Sequence, residues 1–399
     1  MASPITLDEA QAQVLAHARL LSSERVPIAA AAGRVVAEDV RALVDLPPFP
    51  SSAMDGFAVR SADLPATSRI AGESAAGSPF EGGLEPGGAV AISTGGVVPD
   101  GADAVVPIEA VVVRDNSVQI PESAEAGSNV RPRGGDVAAG EVVLSAGTAL
   151  TPARIAAAAA AGIAWLPCAR RPRVAVLATG NELVSPGQSL EPGQIYEANG
   201  LMLASALSEL GADVLTEPPA ADDEAALEQA LERGLSADVL VTSGGVSVGE
   251  HDLVREVERR LGVEEVFWRV SIKPGKPIAF GVRGEGLVFG LPGNPVSAFV
   301  GAELFVKPAL RSLQGLADPL PRFEPGRLTT GLRRNEDRDE FVRARVKVES
   351  DTVALEPIVG QESHMIVRSS AAEALVHVPR GNGELAADSV VRWLRLACG

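Results

Sequence analysis

The sequence predicts a multidomain α/β plus β protein. Three observations carry this: strand and helix patterns alternate over residues 171–315, short apolar runs between glycine turns fill residues 50–140, and period-two alternation returns from about Phe323. Alternation with short loops implies βαβ units on a parallel-rich sheet. The glycine-punctuated runs imply a β-rich module, and the final segment implies a small β barrel or sandwich.

The first element reads as a helix from Thr6 to about Leu21, opened by the capping-box pair Thr6 and Glu9. Val35 to Val44 looks extended, and Leu46-Pro47-Pro48-Phe49-Pro50 marks a boundary. Ala89-Val90-Ala91-Ile92 and Ala104-Val105-Val106 are strands of the β-rich module. Thr151-Pro152 opens a second helix that Gly162 stops, so this helix and the N-terminal element could share a domain, with the β module inserted between them. Next come a buried-type strand, Arg173 to Ala178, a helix from about Asn199 to Leu210, a strand from Val214 and a helix over Asp222 to Leu235. Asp238 to Thr242 is a strand, Glu250 to Leu261 a helix, Phe267 to Val270 an intervening segment and Leu287 to Gly290 a strand before a long helix. Phe341 to Val348, Val353 to Ile358, Leu375 to Val378 and Val390 to Leu396 complete the C-terminal module. No solenoid repeat is visible.

The composition bounds the function. A chain of 399 residues allows two to three domains at about 150 residues each. With 35 basic against 52 acidic residues the net charge is −17, which argues against a sequence-independent nucleic-acid binder. The hydrophobic fraction of 46% suffices for a core. Mean hydropathy is +0.16, and the longest apolar run, Ile155 to Leu166, falls short of the roughly 18 residues of a membrane span. Met1-Ala2-Ser3-Pro4 has no secretory character. Cys168 and Cys398 cannot make a disulfide scaffold, and no Cys/His cluster marks a zinc site. A soluble, cytoplasmic protein is expected, without membrane or nucleic-acid partners.

Three glycine-rich segments fall at strand ends: Thr179-Gly180-Asn181-Glu182, Thr242-Ser243-Gly244-Gly245-Val246-Ser247 and Leu291-Pro292-Gly293-Asn294-Pro295. Such turns let backbone approach a ligand, and free N–H groups at the next helix can hold a phosphate. Ile272-Lys273-Pro274-Gly275-Lys276-Pro277 is sharper. Only Lys273, Lys276, Lys307 and Lys347 are lysines, the remaining basic residues being arginine, and prolines frame the first pair. Two held ammonium groups make a site for phosphate or a tetrahedral oxyanion; the bland alternative is a solvated basic turn. Glu182, Asp252, Asp55 and Asp136 supply carboxylates, which beside a phosphate site commonly hold Mg²⁺. Each has a turn or capping alternative, strongest for Asp222, which opens a helix with Asp223 and Glu224. His251 reads as a surface helix residue, and no Ser/His/Asp or Cys/His nucleophile set is present.

Pro47-Pro48-Phe49 followed by Ser52-Ala53-Met54-Asp55-Gly56-Phe57-Ala58-Val59-Arg60 closely resembles the opening motif of the molybdopterin molybdenumtransferase (MoeA) family, which is related to the C-terminal domain of gephyrin. The resemblance continues in order through Ile92 to Gly95, Gly101 to Val106, Asn129 to Asp136, Ala178 to Leu183, Ser243 to Asp252, Ile272 to Pro277 and Leu291 to Pro295. Pro50 and Ser51 stand where Asp and Asn are usual, and Phe57 where Tyr is frequent.

The resemblance implies four parts. These are an N-terminal scaffold over 1–49 and 141–170, an inserted β-rich domain over 50–140, a molybdopterin-binding α/β domain over 171–315 and a C-terminal β barrel over 316–399. It implies molybdenum insertion from molybdate into adenylated molybdopterin, with Mg²⁺, releasing molybdenum cofactor and AMP. By resemblance, Asp55, Thr94 and Asp136 act from the insertion, and Glu182, Asp222 (or Asp223), Asp252, Lys273, Lys276, Pro292 and Pro295 from the α/β domain. Thr179, Gly180, Ser243, Gly244, Gly245, Ser247, Gly293 and Asn294 are the expected binding positions around them. Ser369, or Ser370, is the expected barrel residue, and Glu182 with Asp252 the expected Mg²⁺ ligands. A homodimer sharing its sites across protomers is implied, with a molybdopterin adenylyltransferase as candidate partner. The alternatives are a gephyrin-like scaffold, or a molybdopterin adenylyltransferase, which needs only the single α/β domain.

Overall fold

The strand Arg173–Ala178 lies inside a six-stranded sheet and is covered on both faces. Val174 and Val176 face one core with Leu203 and Leu207, while Ala175 and Leu177 face another with Leu227, Leu231 and Val257. Burial on both sides explains why this strand is an unbroken apolar run. The computed structural model describes residues 3–217, 224–245, 253–349 and 352–396. The expected site positions Asp222, Asp223, Ser247 and Asp252 lie outside them.

Across this sheet the order is Asp213–Thr216, Arg173–Ala178, Val239–Ser243, Gly286–Leu291, Ala279–Arg283 and Glu264–Trp268. The first four are parallel. Ala279–Arg283 runs antiparallel to both its neighbours, which departs from a succession of βαβ units. The cause is local: only Gly284 and Glu285 separate Arg283 from its pairing partner Gly286. A connection that short joins antiparallel strands only.

Helices Leu7–His17 and Asn199–Ser208 cover one face, together with the helical segment from Pro295 to Leu313. Glu224–Gly234 and Leu253–Arg260 cover the other. The N-terminal helix starts with the expected capping box but ends at His17, four residues early. Ala18 turns extended, and the Leu21 N–H donates to Leu313 O at 2.9 Å, a bond a continued helix would not allow. Helix Pro152–Ala160 packs elsewhere, in a cluster with Val26, Val36, Leu144 and Leu166.

The β-rich module is a second six-stranded sheet in which Gly56–Val59 lies between Ala104–Pro107 and Gly88–Ile92. Gly56 is required there, because a Cβ would lie 2.0 Å from Val106 O. Beside it, Ser51–Ser52 pairs with Val130–Arg131.

At the C-terminus, Asp339–Glu349, Thr352–Pro357, Phe323–Leu328, Val390–Arg395 and Ala374–Val378 close into a five-stranded barrel, the last pairing back onto the first. Trp393, Leu355, Val342 and Val376 fill it. Closure resolves the barrel-or-sandwich alternative. A short strand of the α/β domain, Ile272–Lys273, joins the barrel in parallel beside Asp339–Glu340. No helix among the described residues is long and apolar enough to cross a membrane.

Candidate functional site

The three glycine-rich segments end three adjacent parallel strands and therefore share one edge of the sheet. That edge is where open α/β sheets bind ligands. The segments are bonded together: the Thr179 N–H donates to Ser243 O at 3.0 Å, and the Gly244 N–H donates to Leu291 O at 3.1 Å. Gly244 has φ +98°, and a Cβ on it would meet Thr179 O at 2.5 Å, so only glycine fits. Thr179, Ser243 and Pro292 are buried, whereas Gly293 and Asn294 are exposed. Asn294 precedes the helix opened by Pro295 and makes no capping bond with its side chain. The Val296 N–H in that helix donates to Ser363 O at 3.1 Å, so the barrel already occupies part of this helix start.

Asn199 was not among the sequence-predicted site residues. Its Nδ2 donates to Ser243 Oγ and to Gly293 O, each at 2.8 Å. Nothing in the local pattern marks it, since it reads only as the start of a helix.

Glu182 is exposed, and its carboxylate lies against Gly180, where a Cβ would come within 2.5 Å of Oε2. Its main-chain oxygen accepts from Ile195 N at 2.8 Å. No group of three His, Cys, Asp or Glu side chains gathers to hold a metal among the described residues. An exposed carboxylate on a phosphate-type edge is still a suitable hard oxygen ligand for Mg²⁺.

The lysine loop emerges at the same edge, because Trp268 pairs with Ala279 and Ala279 with Gly290, next to Leu291. Lys273 Nζ lies 3.0 Å from Glu340 Oε1 of the barrel, whose side chain is 14% exposed. Lys276 is exposed and has no ion pair among the described residues. Gly275 between them has φ +106°.

Three residues along the barrel strand from Glu340 is Arg343, which sequence reasoning missed. It is fully buried, and its Nη2 donates to Gly360 O at 3.0 Å. Its Nε and Nη1 have no hydrogen-bond partner among the described residues. Burial works against its charge, with Glu362 and Glu340 acting the other way. Ser369 lies in the short helix Ile366–Ser369, half-buried, and its Oγ donates to Met365 O at 2.7 Å. Ser370 is exposed and its Oγ donates to Val367 O.

In the insertion, Asp55 Oδ1 accepts from Thr94 N at 2.6 Å and from Thr94 Oγ1 at 2.9 Å. The backbone N–H first, and the hydroxyl second, hold the Asp55 carboxyl below its usual range. Asp136 is exposed; its N–H donates to Leu46 O at 2.9 Å, and the preceding strand Val130–Arg131 runs beside Ser51–Ser52. No hydrogen bond or ion pair among the described residues joins Asp55, Thr94 or Asp136 to the α/β edge.

A parallel-rich sheet with bonded glycine loops at one edge, and a short lysine-bearing strand built into a neighbouring barrel, defines a multidomain α/β plus β protein. Family models match in chain order: the MoeA N-terminal region (domain I and II) at residues 5–162, a probable molybdopterin binding domain at 175–312, and the MoeA C-terminal region (domain IV) at 325–396. The chain is 40% identical over 376 residues to molybdopterin molybdenumtransferase 2 of Mycobacterium tuberculosis, covering 91% of this chain and 92% of the relative. It is 36% identical to the molybdopterin molybdenumtransferase of Haemophilus influenzae, covering 97% of each. A crystal structure of a molybdopterin biosynthesis MoeA protein from Pyrococcus horikoshii superposes with a TM-score of 0.85 at 27% identity, over 99% of this chain and 100% of that one. The chain belongs to the molybdopterin molybdenumtransferase (MoeA) family, transferases of molybdenum cofactor biosynthesis.

Proposed function

We propose that this chain inserts molybdenum from molybdate into adenylated molybdopterin, releasing AMP and molybdenum cofactor. One observation supports this most: glycine loops suited to phosphate and a lysine pair suited to a tetrahedral dianion emerge at the same sheet edge. Thr179, Gly180, Ser243, Gly244, Gly245, Gly293 and Asn294 line the edge for the adenylate and pterin phosphate, with Pro292 and Pro295 fixing the turn into the helix. Lys273 and Lys276 take the oxyanion, because ammonium groups attract a dianion and charge-assisted bonds to them are the strong class. Arg343, buried on the neighbouring barrel strand with two nitrogens that have no partner among the described residues, adds to the positive field.

Mg²⁺ on Glu182, with Asp252 as second ligand, supplies Lewis-acid polarisation of the adenylate phosphate when bound. No side-chain nucleophile is needed: the residues named here bind, orient and neutralise charge. Asp222, Ser247 and Ser369 belong to the same reading as flanking groups.

In this reading two chains form a homodimer, and the Asp55–Thr94 clasp and Asp136 of one insertion complete the site on the partner's α/β edge. The substrate carries an adenylate, so a molybdopterin adenylyltransferase must act before this chain and is its natural partner in the cytoplasm. Incubation with pure adenylated molybdopterin, Mg²⁺ and molybdate should yield AMP and molybdenum cofactor in equal amounts. Active substrate left unchanged by the folded protein would refute the reading.

A further inference from the structure

A carbonyl oxygen only accepts hydrogen bonds, so the 2.8 Å contact with Gly293 O forces the Asn199 amide nitrogen toward the sheet edge. The same nitrogen reaches Ser243 Oγ, at the end of the neighbouring strand. One amide therefore ties the second glycine segment to the third. Behind it, the chain just before Asn199 is tied to the first: Ile195–Tyr196 pairs with Leu183–Val184, Ile195 N donates to Glu182 O, and Glu197 N donates to Val184 O at 2.9 Å. Glu197, itself buried, accepts from Gly200 N at 2.6 Å and so holds the helix start that presents Asn199.

We infer that Asn199 is a positioning residue: its two bonds, with the pairing that anchors its segment to Glu182, set the three glycine segments at the spacing that a phosphate-bearing adenylate requires. The inference rests on the proposed function and extends it to a side chain that makes no claim on the chemistry itself. Preorganised donors bind an anion better than donors that must be ordered on binding. Loss of the amide should therefore weaken adenylate binding while leaving the reacting groups intact.

Two variants test it. Asn199→Ala removes both donors. Asn199→Asp keeps the shape but sets a carboxylate against Gly293 O. In hydrogen exchange of the protein alone, the Gly244 amide, which bonds Leu291 O, should exchange faster in both variants than in the unmodified chain. With AMP as probe in calorimetry, Kd should rise about 5- to 30-fold, the loss expected for one to two neutral hydrogen bonds. With adenylated molybdopterin, KM should rise by a similar factor while kcat and the half-saturating molybdate concentration stay near those of the unmodified chain. A general loss of folding would move all of these together. Glu197→Ala, which removes the acceptor of the Gly200 N–H at the helix start and leaves the Asn199 amide in place, should show a smaller effect and serves if either Asn199 variant fails to fold. Unchanged exchange and AMP affinity, or a fall in kcat alone, would overturn the inference. An unmodified chain that neither binds AMP nor turns over would instead contradict the proposed function.

Discussion

Lys273 Nζ sits 3.0 Å from Glu340 Oε1, across the seam between the α/β domain and the C-terminal barrel. The backbone explains the meeting, because Ile272–Lys273 runs parallel to Asp339–Glu340 in the barrel sheet. The lysine proposed to hold molybdate is thus oriented by a domain that supplies none of the glycine loops. Its partner three residues on, Lys276, has no ion pair among the described residues.

This asymmetry separates the two lysines experimentally. Lys273→Ala and Lys276→Ala should each raise the molybdate concentration for half-maximal rate, by about 10- to 150-fold for one charge-assisted bond. Only Lys273→Ala should also lower thermal stability, since it removes the cation beside the Glu340 carboxylate, at a cost of about 0.5–1 kcal/mol because the lysine is half exposed. Steady-state kinetics at varied molybdate, with calorimetric melting of both variants, reads the two effects. Normal molybdate dependence in both would place the lysines on the pterin phosphate instead.

The proposed shared-site dimer predicts complementation. At a molybdate concentration that just saturates the unmodified chain, Asp55→Ala and Lys273→Ala should each turn over slowly, yet mixed dimers carry one site with neither change and should recover part of the activity. If mixed dimers form and remain inactive, the sites are built within one chain. The clasp itself should survive mild acid. The Thr94 bonds hold the Asp55 carboxyl low, so its contribution is fully present above the ordinary carboxylate range and is lost as pH falls through the depressed value.

Much of this site was legible in the sequence because it is local. Glycine-rich strand ends, a proline-framed lysine pair and the capping box at Thr6 are each specified by neighbours in the chain. Arg343 was not. In Phe341-Val342-Arg343-Ala344 the alternation suggests an outward, solvated arginine, and the side chains do alternate. Val342 and Ala344 face the barrel interior, while Phe341 joins the α/β core, so the outer face of the strand is covered by another domain. Arg343 is buried on that outer face, where its Nη2 donates to Gly360 O and its N–H to Gln361 Oε1 of the barrel's own chain. Asn199 escaped notice because its partners lie 44 and 94 residues away, and the hairpin through Gly284 and Glu285 was hidden inside a run of α/β alternation.

A second ion pair anchors the α/β domain at its entry. Arg170 grips Asp238 through Nη1 and Nη2 at 2.6 and 2.7 Å, and Arg173 N donates to the same carboxylate at 2.8 Å. Burial alone would raise the Asp238 pKa, but these bonds outweigh it and hold the carboxyl low. A depressed carboxylate stabilises above its unfolded pKa and loses that contribution as pH falls through the folded value. Asp238→Asn should therefore cost about 1–2 kcal/mol at neutral pH, Arg170 being partly solvated. The gap from the unmodified chain should close on acidification. Chemical denaturation across pH measures it, and a gap that widens in acid would contradict this assignment.

The central claim is that one sheet edge couples oxyanion and adenylate. AMP release from adenylated molybdopterin, followed with molybdate and Mg²⁺ supplied separately and together, tests it most directly. Release should be rapid only when both are present, and Lys276→Ala should need more molybdate to reach the same rate. Rapid AMP release in chelator without any oxyanion would contradict the account.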